Sequence, residues 1–390
     1  MRSGSALALG LLGLAVAAAP ACRPAAETVD EEEARLRALL DLPAHIEAPA
    51  VPDYNPLTAE KIELGRYLFY DRQLSANGEQ SCADCHLQEL AFADGVKTPI
   101  GSTGDPLVRN SPSLVNVAWY TTLTWASDGL LELEDQLLVP LTADNPVELG
   151  LNDGVRPEVL ARFDDDPDYA AMFADAFPES DSGATLNKVS YALSSFVRSL
   201  VSADSPYDRY TAGDKGALTD QQKQGMSLFN GESFECFHCH GGVNATNSYR
   251  DYNTTEEQIQ YPFFNTGLYN VDDDGGYPLY DQGLYELTLD LDHRGFFRPP
   301  SLRNVGLSAP YMHDGSIETL REVVEHYAAG GRVIEEGDYA GDGRVSPLKS
   351  GLVRGFQATD EEIEAVVAFL ESMTDPTFAE NPAHADPFAY

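Results

Sequence analysis

The chain has 390 residues, of which 43% are hydrophobic, and its 63 Asp and Glu against 25 Lys and Arg leave a net charge of −38. That length is enough for two domains with cores of their own. The charge excludes nucleic acid as a partner, because binding phosphates needs Lys and Arg; it reads as solubility or life in salty water, with steering of a basic partner protein as the alternative.

The first segment is an address. Arg2 precedes an apolar run from Ala6 to Ala19, too short to span a bilayer as a mature helix, and small residues lead to Cys22. Residues 1–22 therefore read as a signal peptide. Cys22 is either the lipidated first residue of a lipoprotein or lies near a plain cleavage site. Both place the protein in the periplasm, in the first case lipid-anchored at the cell envelope, and a membrane enters only through that anchor. Residues 23–50, rich in Ala, Glu and Pro, read as a tether.

Two stretches then resemble each other. Residues 57–69, L-T-A-E-K-I-E-L-G-R-Y-L-F, and 218–229, L-T-D-Q-Q-K-Q-G-M-S-L-F, share Leu-Thr, then Gly-x-x-Leu-Phe, then a Cys-x-x-Cys-His. Thr58 is a candidate N-cap, and Thr219 with Gln222 makes a capping box. After each motif comes a helical apolar face: Val189, Leu193, Phe196 and Leu200 in one case, and Ile363, Val366, Val367 and Leu370 behind Thr359–Glu362 in the other. A unit of helix, motif, long connection and helix thus occurs twice. The predicted fold is all-α, with long ordered loops. An N-terminal domain covers 51–205, a C-terminal domain 206–376 and a tail 377–390, with 201–217 as the linker stretch.

The motifs carry the chemistry. Cys82-Ala-Asp-Cys85-His86 and Cys236-Phe-His-Cys239-His240 use every cysteine except Cys22, so no thiol remains for a structural disulfide. Two thiols three residues apart can add to the vinyl groups of a haem, and the adjacent His is carried under the ring to the iron. In an exported chain this reads as c-type haem attachment, twice. A thioredoxin-like redox pair needs a βαβ pattern that is not seen, and a zinc site needs four converging thiolates or imidazoles. His86 and His240 are the proximal ligands, and His238 reads as exposed filler.

What occupies the far side of each iron separates a carrier from an enzyme. Between the first motif and residue 237 there is no histidine, and Met172 is the only methionine of that domain after its motif. The first haem is therefore expected to be five-coordinate.

Residues 298–331, R-P-P-S-L-R-N-V-G-L-S-A-P-Y-M-H-D-G-S-I-E-T-L-R-E-V-V-E-H-Y-A-A-G-G, residues 109–116, R-N-S-P-S-L-V-N, and residues 145–150, N-P-V-E-L-G, complete a resemblance over roughly residues 55–375. With the two motifs, the chain resembles the bacterial di-haem cytochrome c peroxidase/MauG superfamily, most of all its MbnH-like branch, which pairs with small secreted copper-binding proteins.

The resemblance implies site residues one by one. The peroxidases place a Met fourteen residues after the His of His-Asp-Gly; counted from His313, that position is Tyr327, as in MauG-like proteins, with His326 as the competing ligand. Where the peroxidases carry a His that closes the first haem, this chain has Ser102, a poor iron ligand, so that haem is expected to be open without reductive activation. Gln136 and Glu148 match the distal pair; a carboxylate there moves a proton from the near to the far peroxide oxygen, and an apolar cavity would raise its pKa into a useful range. Trp125 is the candidate relay between haems, in Trp125-Ala-Ser-Asp128-Gly129 where the family has Trp-Asp-Gly; Trp119 reads as core. Asn110, Ser308 and Pro310 match a calcium site, the last two through backbone oxygens. Asn270–Gly275 reads as a surface turn. Arg303 is a candidate partner for a haem propionate, with Arg298 and Arg109 as weaker ones.

The implied activity uses hydrogen peroxide to reach a high-valent state shared by both haems, which oxidises a side chain, Trp by resemblance, of a secreted partner protein over long range. One alternative is reduction of peroxide to water with electrons from a small cytochrome or cupredoxin. The other is a non-catalytic di-haem electron carrier.

Overall fold

A computed structural model describes residues 29–389, so the expected signal peptide 1–22 and Cys22 lie outside the described residues. Six helices frame the molecule: α1 (Val29–Leu39), α2 (Ala59–Tyr70), α3 (Leu186–Arg198), α4 (Asp220–Phe229), α5 (Leu320–Ala329) and α6 (Asp360–Glu371). Further helices, 3-10 turns and ordered loops connect them. The one departure from an all-helical chain among the described residues is a two-stranded antiparallel ribbon, Val333–Ile334 against Gly341–Asp342.

Five of the six helices start on a threonine whose hydroxyl accepts a backbone N–H of the first turn: Thr58, Thr185, Thr219, Thr319 and Thr359. In α4, α5 and α6 the third residue reaches back to complete a capping box. The apolar stripes then decide packing. Val189, Leu193, Phe196 and Leu200 are buried in one core with Leu64, Leu68 and Phe69 of α2. Ile363, Val366, Phe369 and Leu370 are buried in another with Phe229 of α4.

The two helix pairs cross in the same way. A Cβ on Gly65 would lie 2.0 Å from the carbonyl oxygen of Ala192 and 2.8 Å from Phe196 Cβ; a Cβ on Gly225 would lie 1.8 Å from that of Ala365 and 2.9 Å from Phe369 Cβ. The Gly of each Gly-x-x-Leu-Phe is thus the point where backbone meets backbone. Gly225→Ala is expected to force α4 off α6 and to cost about 1–3 kcal/mol or more, read as a lower melting temperature with an unchanged unfolding mechanism.

Three connecting stretches pack more closely than their composition suggests. The stretch 23–50, read as a tether, is folded over its described part: Leu36 of α1 and Leu40 just beyond it are buried with Ala48 and Leu57, and Ile46 packs with Trp119. The i, i+4 spacing of those two leucines, at the end of α1 and just past it, supplies a sticky face that an Ala/Glu/Pro-rich composition hid. The tail 377–390 returns to the N-terminal half, where Phe378 joins the first core and His384 is buried beside Phe92. The stretch 201–217, read as a linker, is a buried strap at its start: Ser202, Ser205 and Asp208 are enclosed, and the Asp375 carboxylate accepts the N–H groups of Ala203 and Asp204.

Candidate functional site

Each Cys-x-x-Cys-His sits on a short helical turn against its core and lines a cavity. The first cavity, about 1870 Å³ of empty space, is walled by Cys82, Cys85 and His86 together with Gln136, Glu148 and Trp125. The second, about 1830 Å³, is walled by Cys236, Cys239 and His240 together with Tyr327, His313 and Met312.

Both motifs are held by the same wiring. His86 Nδ1 lies 2.6 Å from Phe92 O, while Ser113 Oγ donates to Ala91 O at 2.7 Å. His240 Nδ1 lies 3.3 Å from Ala245 O and 3.2 Å from Pro300 O, while Ser301 Oγ donates to Asn244 O at 2.7 Å. Ser113 and Ser301 belong to a second repeat, Pro112-Ser-Leu-x-Asn116 and Pro300-Ser-Leu-x-Asn304. Both asparagines are in the left-handed region, with φ of 54° and 57°, and each opens a 3-10 turn. The sequence reading passed over this repeat, although its signal was present in both quoted segments.

This wiring is a test of whether a haem fits. A metal-binding His donates its other ring N–H to a carbonyl or carboxylate, which fixes the ring and the tautomer. Both imidazoles do so through Nδ1, which leaves Nε2 as the ligating nitrogen. Burial lowers both imidazole pKa values, that of His240 to about 4, so both rings are neutral donors. The four thiols are free rather than bonded in disulfides. Burial pushes Cys82 and Cys236 up to about 12 and Cys85 and Cys239 up to about 11. The donor sets fit the group at both sites.

Glu148 is the unusual group of the first cavity. Burial in an apolar wall pushes its pKa up to about 7. His86 is the only imidazole and no thioether stands among the described residues that line this cavity. Ser102 is pinned through its backbone, its N–H donating to Glu148 O at 2.9 Å.

Trp125 lines both cavities. Its indole Nε1–H donates to Asn110 O at 2.8 Å, and its own carbonyl accepts from Arg298 N at 2.8 Å. Trp119 is buried, with Nε1 donating to Glu47 O.

In the second cavity Tyr327 faces the motif: its pKa is raised by burial, then by the neighbouring thiols of Cys239 and Cys236. Its hydroxyl has no hydrogen-bond partner among the described residues. His326 points away, with Nε2 3.1 Å from Thr266 O, and lines a separate small cavity. Met312 and His313 were not weighed as donors from sequence. The His313 ring is stacked on Phe297 at 3.6 Å, with its Nε2 3.5 Å from the Asp281 carboxylate. Asn110, Ser308 and Pro310 line one wall of this cavity, and the Asn110 amide nitrogen donates to Val96 O at 2.9 Å.

Arg303, a candidate partner for a propionate by resemblance, is engaged within the fold. It lines neither cavity, and its guanidinium forks onto the buried Asp208 carboxylate with two contacts of 2.8 Å. Asp208 lies 95 residues away in sequence, so no local pattern could have revealed the pairing. Arg298 and Arg109 line the first cavity instead. Arg298 is buried, sits 3.9 Å from the Tyr120 ring centre and stands between the cavities.

A mostly helical chain built as two matched halves around two such cavities is a redox protein of the c-type haem class. The profile of the di-haem cytochrome c peroxidase family matches residues 59–216. The methylamine utilization protein MauG of Methylorubrum extorquens is 32% identical over 370 residues, 94% of this chain and 93% of the relative. Cytochrome-c peroxidase IdrP1 of Pseudomonas sp. is 35% identical over 349 residues, 85% of this chain and 86% of the relative. The crystal structure of a MauG-like protein associated with microbial copper homeostasis superposes with a TM-score of 0.87 at 46% identity, covering 90% of this chain and 99% of the other. The chain belongs to the di-haem cytochrome c peroxidase/MauG family and is an oxidoreductase, and the family's cofactor is haem c.

Proposed function

We propose that this enzyme is MauG-like: it draws two oxidising equivalents from hydrogen peroxide and spends them on a side chain, Trp by resemblance, of a secreted partner protein. The observation that carries this reading is Tyr327, an unpaired phenol facing the second motif where a peroxidase would offer a thioether. A phenolate oxygen is a hard anionic donor that favours oxidised over ferrous iron, so the second site becomes a store for oxidising equivalents rather than a port for electrons.

In this account Cys82, Cys85 and His86 would hold one haem c and Cys236, Cys239, His240 and Tyr327 would hold the other. When bound, the first haem would supply an iron for the reaction with peroxide, and the second would supply an iron for storing oxidising equivalents. Glu148 takes the proton from the near peroxide oxygen and returns it to the far one, with Gln136 beside it as the hydrogen-bonding partner that orients the peroxide. Trp125 passes electrons between the sites. Arg298 and Arg109 replace Arg303 as partners for propionates. Asn110 Oδ1 with the backbone oxygens of Ser308 and Pro310 forms a calcium site of hard donors. The domain limits 51–205 and 206–376 follow the two haem units.

The partner is a secreted protein, copper-binding by likeness to the copper-homeostasis relative, and the net charge of −38 steers a basic one towards the surface. Export through residues 1–22 puts both in the periplasm; no helix among the described residues is long and apolar enough to cross a membrane. A second reading, peroxide detoxification with electrons from a small redox protein, is favoured by the peroxidase relative at 35% identity.

One experiment separates these. Stoichiometric peroxide is added to the di-ferric protein without reductant, and near-infrared absorption is followed. A long-lived oxidised state supports the first reading. Recovery only on adding a reductant supports the second, and no reaction supports a plain carrier. Trp125→Phe is expected to abolish the near-infrared band that reports sharing between the two sites while leaving the resting spectrum unchanged.

A further inference from the structure

Four tyrosines form a string that none of this chemistry has used. Phe297 and His313 stand on the wall of the second cavity. Tyr277 lies 6.1 Å from Phe297 and 6.2 Å from His313, ring centre to ring centre. Tyr269 lies 5.3 Å beyond it, Tyr339 6.1 Å further and Tyr280 another 6.0 Å. The string runs from inside to outside: Tyr277 and Tyr269 are 3% and 6% exposed, Tyr280 is 53% exposed. Tyr280 also stands at the rim of the first cavity.

We propose that Tyr277, Tyr269, Tyr339 and Tyr280 are an electron path from the second cavity to the surface, and that Tyr280 is where the aromatic side chain of a partner gives up its electrons. The proposal rests on the MauG-like reading and adds the place at which it acts.

The chemistry of the string supports conduction rather than packing alone. A tyrosine that loses an electron must also lose its phenol proton, or carry a charge that a buried site penalises. Tyr269 donates its O–H to the buried Asp314 carboxylate at 2.6 Å. On oxidation that proton moves to Asp314, and on reduction it returns. The oxidised ring is therefore neutral, and the Arg332 guanidinium 4.6 Å over it does not oppose its formation. Tyr277, whose O–H donates to the Asn265 amide oxygen at 3.1 Å and whose oxygen faces the backbone N–H groups of Leu268 and Tyr269, has no carboxylate to take its proton and serves as the bridging ring. Tyr280 exchanges its proton with solvent. Each passage moves one electron inward. Two passages and two protons convert one hydrogen peroxide to two waters, and the partner's side chain is oxidised by two electrons. Leu279, 94% exposed, precedes Tyr280 in sequence and gives its surroundings apolar area for a dry contact.

The test uses the full haem-loaded protein without a partner. Peroxide is added with a nitroso spin trap, and the trapped residue is mapped by peptide mass spectrometry. Wild type is expected to carry the adduct on Tyr280. Tyr339→Phe, which keeps the ring and removes the readily oxidised phenol, is expected to lose that adduct while keeping its melting temperature and its peroxide-dependent absorbance change. Tyr261→Phe, a change of another exposed tyrosine, is expected to leave the Tyr280 adduct intact. The path is overturned if Tyr280 carries no adduct in wild type, or if the adduct persists in full in Tyr339→Phe, which would mean direct oxidation from the first cavity. Failure of the underlying reading looks different: peroxide would then leave the haem absorbance unchanged in every variant.

Discussion

Glu148→Gln is expected to slow the reaction with peroxide by roughly 10²- to 10⁴-fold, the usual weight of a positioned acid-base group. Gln keeps the shape and can still hydrogen bond, but it cannot take a proton from peroxide and hand it back. The pH profile carries the same assignment. Burial raises the Glu148 pKa to about 7, so the carboxylate that acts as base is lost below neutrality. The wild-type rate should rise through pH 7 to a plateau, and the residual rate of the variant should lack that step. Stability moves the opposite way. A carboxyl whose folded pKa lies above its unfolded value binds more protons in the folded state, so folding stability falls as pH rises from the ordinary carboxylate range to about 7. Glu148→Gln is therefore expected to be more stable than wild type above neutrality while being far less active. Rapid-mixing absorbance for the rate and thermal unfolding at two pH values check both halves.

Tyr327→Met is expected to have the largest effect on what the enzyme does after peroxide has reacted. A thioether stabilises ferrous iron and raises the potential of the second haem by a sizeable part of the roughly 0.8 V that axial ligands span. The variant should be readily reduced by a small cytochrome. The long-lived oxidised state should disappear, and peroxide consumption should come to depend on added reductant. Spectroelectrochemistry gives the potential, and the near-infrared band gives the lifetime. Unchanged values in both would show that Tyr327 only packs against the cavity.

Much of this architecture was legible because its signals are local. Cys-x-x-Cys-His twice, Leu-Thr ahead of Gly-x-x-Leu-Phe twice and the Thr359–Glu362 box are short patterns tied to helix starts, backbone contact and ligand spacing. Tyr327 was named over its rival His326 by resemblance alone, and the structure turns the first towards Cys239 and the second towards Thr266. The pairing of Arg303 was not legible because a guanidinium's partner is set by tertiary contact, and Asp208 answers it from the strap joining the halves. Composition hid the folding of residues 29–50, where a few leucines at helical spacing outweigh the surrounding Glu and Pro. The tyrosine string had no sequence signature, because Tyr269, Tyr277 and Tyr280 share one loop without helical or strand periodicity and Tyr339 joins them from the turn between Ile334 and Gly341, which only packing brings within ring distance.

The central claim is an asymmetry: one iron keeps a free face and the other is closed by Tyr327. Electron paramagnetic resonance of the resting di-ferric protein tests it most directly. The account predicts one high-spin signal from the His86 site beside one low-spin signal from the site of His240 and Tyr327. Two low-spin centres with no high-spin signal would contradict it.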